Sequence, residues 1–170
     1  MLWTWNLEPE TWNLKPENLE RRVTVADSDR TAECVALLPA ASREEPFAKT
    51  LGLRCLEVRP GYARVELDVT SALTNLFGCA HGGAVFSLLD EAFQLACNSH
   101  GVSAYALNVS VTYVKGAIPG DRLTAEAKEL ARTRKTATYS LEVRTDRGDL
   151  IAHAQSVAYR TGAVPPFLTS

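Results

Sequence analysis

Beyond residue 52 the hydrophobic positions of the chain settle into a period of two. In YARVELDVT, Ala63, Val65, Leu67 and Val69 alternate with Tyr62, Arg64, Glu66 and Asp68, the pattern of a strand with one buried and one wetted face. The preceding LRCLEVRP ends in the turn pair Pro60-Gly61, so the two stretches predict a hairpin. After a non-repetitive loop, SALTNLFGCA, comes HGGAVFSLLDEAFQLACNSHG, the only long segment of helical character, closed by Gly101. Further strands are predicted over 103–114, 121–131, 135–145 and 149–160. They are separated by Pro119-Gly120-Asp121, a basic stretch and Asp146-Arg147-Gly148-Asp149. Strands this long with turns this tight argue one antiparallel sheet. A lone apolar helix and a one-faced sheet bury each other only if the sheet curls around the helix, which gives an α+β fold of about six strands.

The N-terminal part reads differently. TWNLEPE at 4–10 is repeated at once as TWNLKPE at 11–17, but each copy carries a proline that breaks a helix, so a coiled coil is excluded. Residues 1–30 are expected to be a tail, either poorly ordered or a docking arm presenting Trp5 and Trp12. TAECVALLPAA is weakly helical, and Pro46 suits the first turn of a short helix, PFAKTL, stopped by Gly52. One domain over 31–163 with a C-terminal tail over 164–170 fits a chain of 170 residues, 46% of them hydrophobic. A formal charge of −2 offers no basic field for nucleic acid. Cys34, Cys55, Cys79 and Cys97 form no CxxC pair, and three histidines spell out no zinc site. Acidic residues and prolines stand where a signal peptide needs a basic start, and no apolar run is long enough to span a membrane. A cytoplasmic protein without metal or cofactor is expected.

Along 84–99, Ser87, Asp90, Glu91, Gln94 and Asn98 make one polar stripe on an otherwise apolar helix. By periodicity alone Asp90 and Glu91 are carboxylates on its exposed edge. Gly82 and Gly83 cost roughly 1 kcal/mol each inside a helix, so bare backbone serves something there. They allow either close packing of the loop or a helix-start amide, unobstructed at Gly82, that donates to a carbonyl oxygen. His81 alone is a capping or packing residue, and Asn75 alone a turn residue.

The stretch N-x5-HGG-x6-D, from Asn75 to Asp90, resembles the phenylacetate-degradation (PaaI-like) type of hotdog-fold acyl-CoA thioesterases. A looser likeness runs from Ala48 to about Gly162, including SVTYVKGAIPGDRLTAEA and RTRKTATYSLEV. The resemblance implies the hotdog fold and a homodimer with active sites at its interface, with a tetramer built from two dimers. It implies an acyl-CoA substrate, with an aryl-acetyl, hydroxylated aryl-acetyl or medium-chain acyl group. Gly82 N–H would polarise the thioester carbonyl. Asp90 of the other subunit would act as general base or nucleophile, and His81 and Asn75 would position the carbonyl or water, with Gly83 beside the substrate.

Many relatives carry a serine or threonine on the strand after the helix, where this chain has Ala106. Asn108 and Ser110, read as lying on the same strand face, are possible substitutes. Lys115, Arg132, Arg134 and Lys135 are either solvated turn residues or contacts for the CoA phosphates, Arg134 and Lys135 being the two chosen. Two other readings stay open. One is a hotdog hydratase or dehydratase using His81, though no histidine is seen paired with an acid as in those enzymes; the other is a non-catalytic acyl-CoA sensor.

Overall fold

The structure, a computed structural model, describes residues 25–168, with side chains from residue 30. The repeat of residues 4–17 lies outside the described residues. Helix α1 (Val25–Glu44) is followed by the short α2 (Pro46–Leu51), then the hairpin β1 (Arg54–Arg59) and β2 (Tyr62–Asp68). A 3-10 turn (Ser71–Leu73) and a loop lead into the long helix α3 (Gly82–Asn98). Four strands complete the fold: β3 (Ala104–Tyr113), β4 (Arg122–Arg132), β5 (Thr136–Thr145) and β6 (Leu150–Arg160), ahead of a C-terminal 3-10 turn (Pro166–Leu168).

The six strands form one sheet of order β1-β2-β4-β5-β6-β3, antiparallel at every pairing, with β1 and β3 at its edges. The alternation read from the sequence decides which face is covered. Ala63, Val65 and Leu67 of β2, Leu123, Ala125 and Ala127 of β4, and Leu141 and Val143 of β5 are buried. Helix α3 lies on this face, chiefly against β2 and β4, and buries Leu88, Leu89, Ala92, Phe93 and Ala96. The many alanines on the sheet side let the helix come close, and Phe93 packs edge-on to Tyr139 with ring centroids 5.2 Å apart.

The weak helical stretch expected over 31–41 is part of a longer helix, Val25–Glu44, which holds Pro39 inside and packs on β1. The C-terminal residues also pack: Pro165 is buried, and Phe167 and Leu168 rest against the core. Among the described residues no helix is long and apolar enough to cross a membrane.

Candidate active site

The loop before α3 is folded by local hydrogen bonds. Asn75 N–H donates to Cys79 O at 2.8 Å, while Asn75 Oδ1 accepts from the amides of Phe77 (2.8 Å) and Cys79 (3.3 Å). Asn75 is therefore a turn builder by its oxygen, and its Nδ2 has no acceptor among the described residues. Gly78 holds φ 76°, a conformation that a side chain disfavours. His81 N–H donates to Leu73 O at 2.7 Å, which ties the helix entrance to the 3-10 turn.

His81 is the N-cap of α3, and its Nδ1 accepts from Gly83 N–H at 2.9 Å. That bond needs an unprotonated Nδ1, so Nε2 bears the ring proton of the neutral imidazole. The amides of Ala84 and Val85 donate to His81 O. With Gly83 N–H taken by the cap, Gly82 N–H is the helix-start amide without an acceptor among the described residues. It stands at the helix start, where the helix dipole favours negative charge. A Cβ at residue 83 would come to 3.1 Å of His81 Nδ1, so the cap itself favours glycine there.

Tyr113, a residue the sequence reading passed over, meets this helix start. Its hydroxyl donates to Gly82 O at 3.0 Å, and a Cβ at residue 82 would lie 3.4 Å from its ring. The two residues are 31 positions apart and sit on different elements, which no periodicity reveals. Gly82, Asn75, Tyr113 and Lys115 line one cleft of about 370 Å³, together with Phe77 and Cys79.

Asp90 lies elsewhere. Eight residues further along α3 is about 12 Å along the axis, and Asp90 lines a separate cleft of about 280 Å³ with Leu38, Glu45, Phe93, Tyr105 and Phe167. Its carboxylate has no hydrogen-bond partner among the described residues. Burial, with the Glu45 charge adding, pushes its pKa above the usual carboxylate range. One chain thus does not bring Gly82 and Asp90 together.

The rest of the polar stripe departs from expectation. Glu91 is not on an exposed edge but 4% exposed, with Ser42 Oγ of α1 donating to it at 2.5 Å. Burial pushes its pKa up to about 7, against the Ser42 hydrogen bond. Gln94 Nε2 donates to Glu45 Oε2 at 2.6 Å, and Asn98 staples the start of β3 by exchanging hydrogen bonds with Ala104. Asn98 and Gln94 are therefore structural ties.

Asn108 and Ser110 do not share a face with Ala106. A bulge at Leu107 sets Ala106 opposite Ala158 but Asn108 opposite Val157, so the side-chain parity flips between them. Val109 and Val111 take the helix-facing positions, and Asn108 and Ser110 point the other way. Of the four cations, Lys115 pairs with Asp149 at 3.0 Å and Arg132 with Glu129 at 3.4 Å. Arg134 and Lys135 occupy the β4–β5 hairpin and line neither cleft. Lys135 Nζ stands 5.6 Å from the Tyr159 ring centre.

A paired histidine and acid does exist: His100 Nε2 is 2.8 Å from Glu129 Oε2, which also accepts from Tyr139 hydroxyl at 2.8 Å. This network packs beneath Gly61 and lines neither cleft, so it offers no base to a substrate there. Burial pushes the thiols of Cys55 and Cys97 up to about 11 and about 12, which keeps them from acting as thiolates. Among the described residues no three His, Cys, Asp or Glu side chains are grouped to hold a metal ion.

Comparison with known proteins adds to this geometry. The thioesterase superfamily profile matches residues 77–152. The acyl-coenzyme A thioesterase PaaI of Escherichia coli K12 is 33% identical over 123 residues, covering 72% of this chain and 88% of that protein. The solved structure of E. coli PaaI, from the phenylacetic acid degradation operon, superposes with a TM-score of 0.74 at 29% identity, covering 81% of this chain and 98% of the other. A Streptococcus mutans protein solved with acetyl-CoA bound superposes with a TM-score of 0.64 at 26% identity, covering 66% of this chain and 91% of that one.

Proposed function

This chain belongs to the thioesterase superfamily, among its PaaI-like hotdog members, and from that premise we propose that it hydrolyses an aryl-acetyl or medium-chain acyl-CoA at sites shared between two subunits. The observation that carries the proposal is the division of labour along α3. A free, dipole-backed amide stands at its start, and an unpartnered, half-buried carboxylate stands two turns on in another cleft. Neither half is a catalyst alone. A two-fold partner that sets its Gly82 beside this chain's Asp90 completes both sites at once.

The β3 edge supports such a pairing. It is ten residues long, has no strand beyond it among the described residues, and exposes Tyr105, Leu107 and Tyr113. A long apolar edge left open is an aggregation hazard, and joining two β3 edges removes it.

In the assembled site the thioester oxygen accepts from Gly82 N–H, and the Asn75 amide supplies a further donor. Asp90 takes a proton from water as the resulting hydroxide adds to the carbonyl carbon. The C–S bond then breaks and the CoA thiolate leaves, taking up a proton. Alternatively, Asp90 adds to the carbonyl carbon, the C–S bond breaks and the CoA thiolate leaves and takes up a proton, and water then opens the mixed anhydride. His81 acts through the cap that keeps Gly83 N–H occupied and Gly82 N–H free. Arg134 and Lys135 bind the CoA phosphates and act on KM. The four cysteines are free, as suits a reducing cytoplasm.

The test is release of free CoA thiol from aryl and fatty acyl-CoAs by the native protein and by Asp90→Asn. A loss of about a hundredfold or more in kcat with KM little changed supports the reading. An undiminished rate returns Asp90 to being a bystander. Single-turnover hydrolysis in ¹⁸O-water reveals an anhydride opened at the Asp90 carbonyl, because only that route labels Asp90 and gives the product acid an unlabelled oxygen from it.

A further inference from the structure

The cleft around Asp90 is walled by two segments outside the superfamily match over 77–152. Leu38 and Ala41 come from α1, and Pro165 and Phe167 from the C-terminal turn, which packs against α1. The rest of the wall includes Phe93 of α3 with Tyr105 and Ala106 of β3. Of its polar neighbours, Ser42 Oγ serves Glu91, Gln94 Nε2 serves the Glu45 carboxylate, and Asn98 holds Ala104, while Ser103 also lines it. A mostly apolar chamber with one unpartnered carboxylate is left.

Resting on the thioesterase reading, we infer that α1 and the C-terminal turn together close the far end of the acyl chamber and set the largest acyl group that this chain accepts. The chamber holds about 280 Å³. A compact apolar acyl group stops short of Leu38 and Phe167, whereas a long extended chain that enters past Asp90 meets them. Leu38 is 3% exposed and Pro165 fully buried, so this end wall is packed into the core and does not swing freely.

Two variants test this in opposite directions. Phe167→Ala opens the end wall, and Ala41→Phe fills the chamber. The measurement is kcat/KM for acetyl-, phenylacetyl-, hexanoyl- and dodecanoyl-CoA, with circular dichroism and thermal melts to confirm folding. Phe167→Ala is expected to raise the dodecanoyl-to-phenylacetyl ratio about tenfold or more, and Ala41→Phe to lower the phenylacetyl-to-acetyl ratio by a similar factor. If Phe167→Ala does not fold, Ala41→Phe decides alone. A length profile unmoved in the folded variants overturns the inference while leaving the thioesterase reading standing. No thiol release from any acyl-CoA by the native protein overturns that reading first.

Discussion

Replacing Glu91 with Gln removes a carboxyl that the fold holds in a place unsuited to charge. The side chain is 4% exposed between α1 and α3, with Ser42 Oγ and Gln94 Nε2 as donors. Burial raises its pKa from 4.5 to about 7; the Ser42 bond opposes this, and the charges of Glu45 and Asp90 add to it. Below pH 4.5 the carboxyl is protonated in folded and unfolded chains alike, and no stability is lost. Between 4.5 and 7 the unfolded chain releases its proton first, so stability falls as pH rises. Above 7 the loss is complete, at roughly 3 kcal/mol. The glutamine amide is neutral throughout and keeps an oxygen for Ser42. Urea unfolding and thermal melts followed by circular dichroism, at fixed protein concentration from pH 4.5 to 8, should show a native stability that declines more steeply with pH than the variant's. At pH 8 the variant should be the more stable protein, by up to about 6–12 °C in Tm. Parallel curves for the two proteins refute the reasoning.

Other outcomes follow from the same geometry. Gly82→Ala puts a methyl at ordinary contact distance, 3.4 Å, from the Tyr113 ring. Its Tm should change little, whereas kcat should fall about tenfold or more because the methyl stands where the thioester must approach. Glu45→Gln removes a negative neighbour that, after burial, raises the Asp90 pKa, so the acid limb of the kcat/KM profile should move to lower pH. Arg134→Ala and Lys135→Ala should each raise KM several-fold with kcat nearly unchanged, and the effect should shrink in high salt. A fall in kcat alone would remove both from the CoA contact.

The strands were legible because a period-two pattern survives wherever one face is buried, and Ala63, Val65, Leu67 and Val69 keep it without a break. The start of α3 was legible from two adjacent glycines, which helices otherwise avoid. Asp90 and Gly82 drew their roles from resemblance, since periodicity places a carboxylate without saying what faces it. The bulge at Leu107 was not legible, because one unpaired residue leaves the composition of a strand unchanged while reversing every side chain beyond it. Glu91 looked solvent-facing because its cover comes from α1, whose packing depends on Leu38 and Ser42 meeting a helix some fifty residues away. The contact between Tyr113 and Gly82 was hidden for the same reason. Local pattern sets which way a side chain points, and topology sets what it meets.

Splitting the donor and the carboxylate between two clefts of one helix has a genetic consequence. A mixed pair, one chain blocked at Gly82 and the other Asp90→Asn, would contain one doubly defective centre and one intact centre. Two inactive proteins would then restore turnover on exchanging subunits, as neither could in isolation. Complementation of this kind follows only if each centre draws its halves from different chains, and it makes hydrolysis a property of the pair.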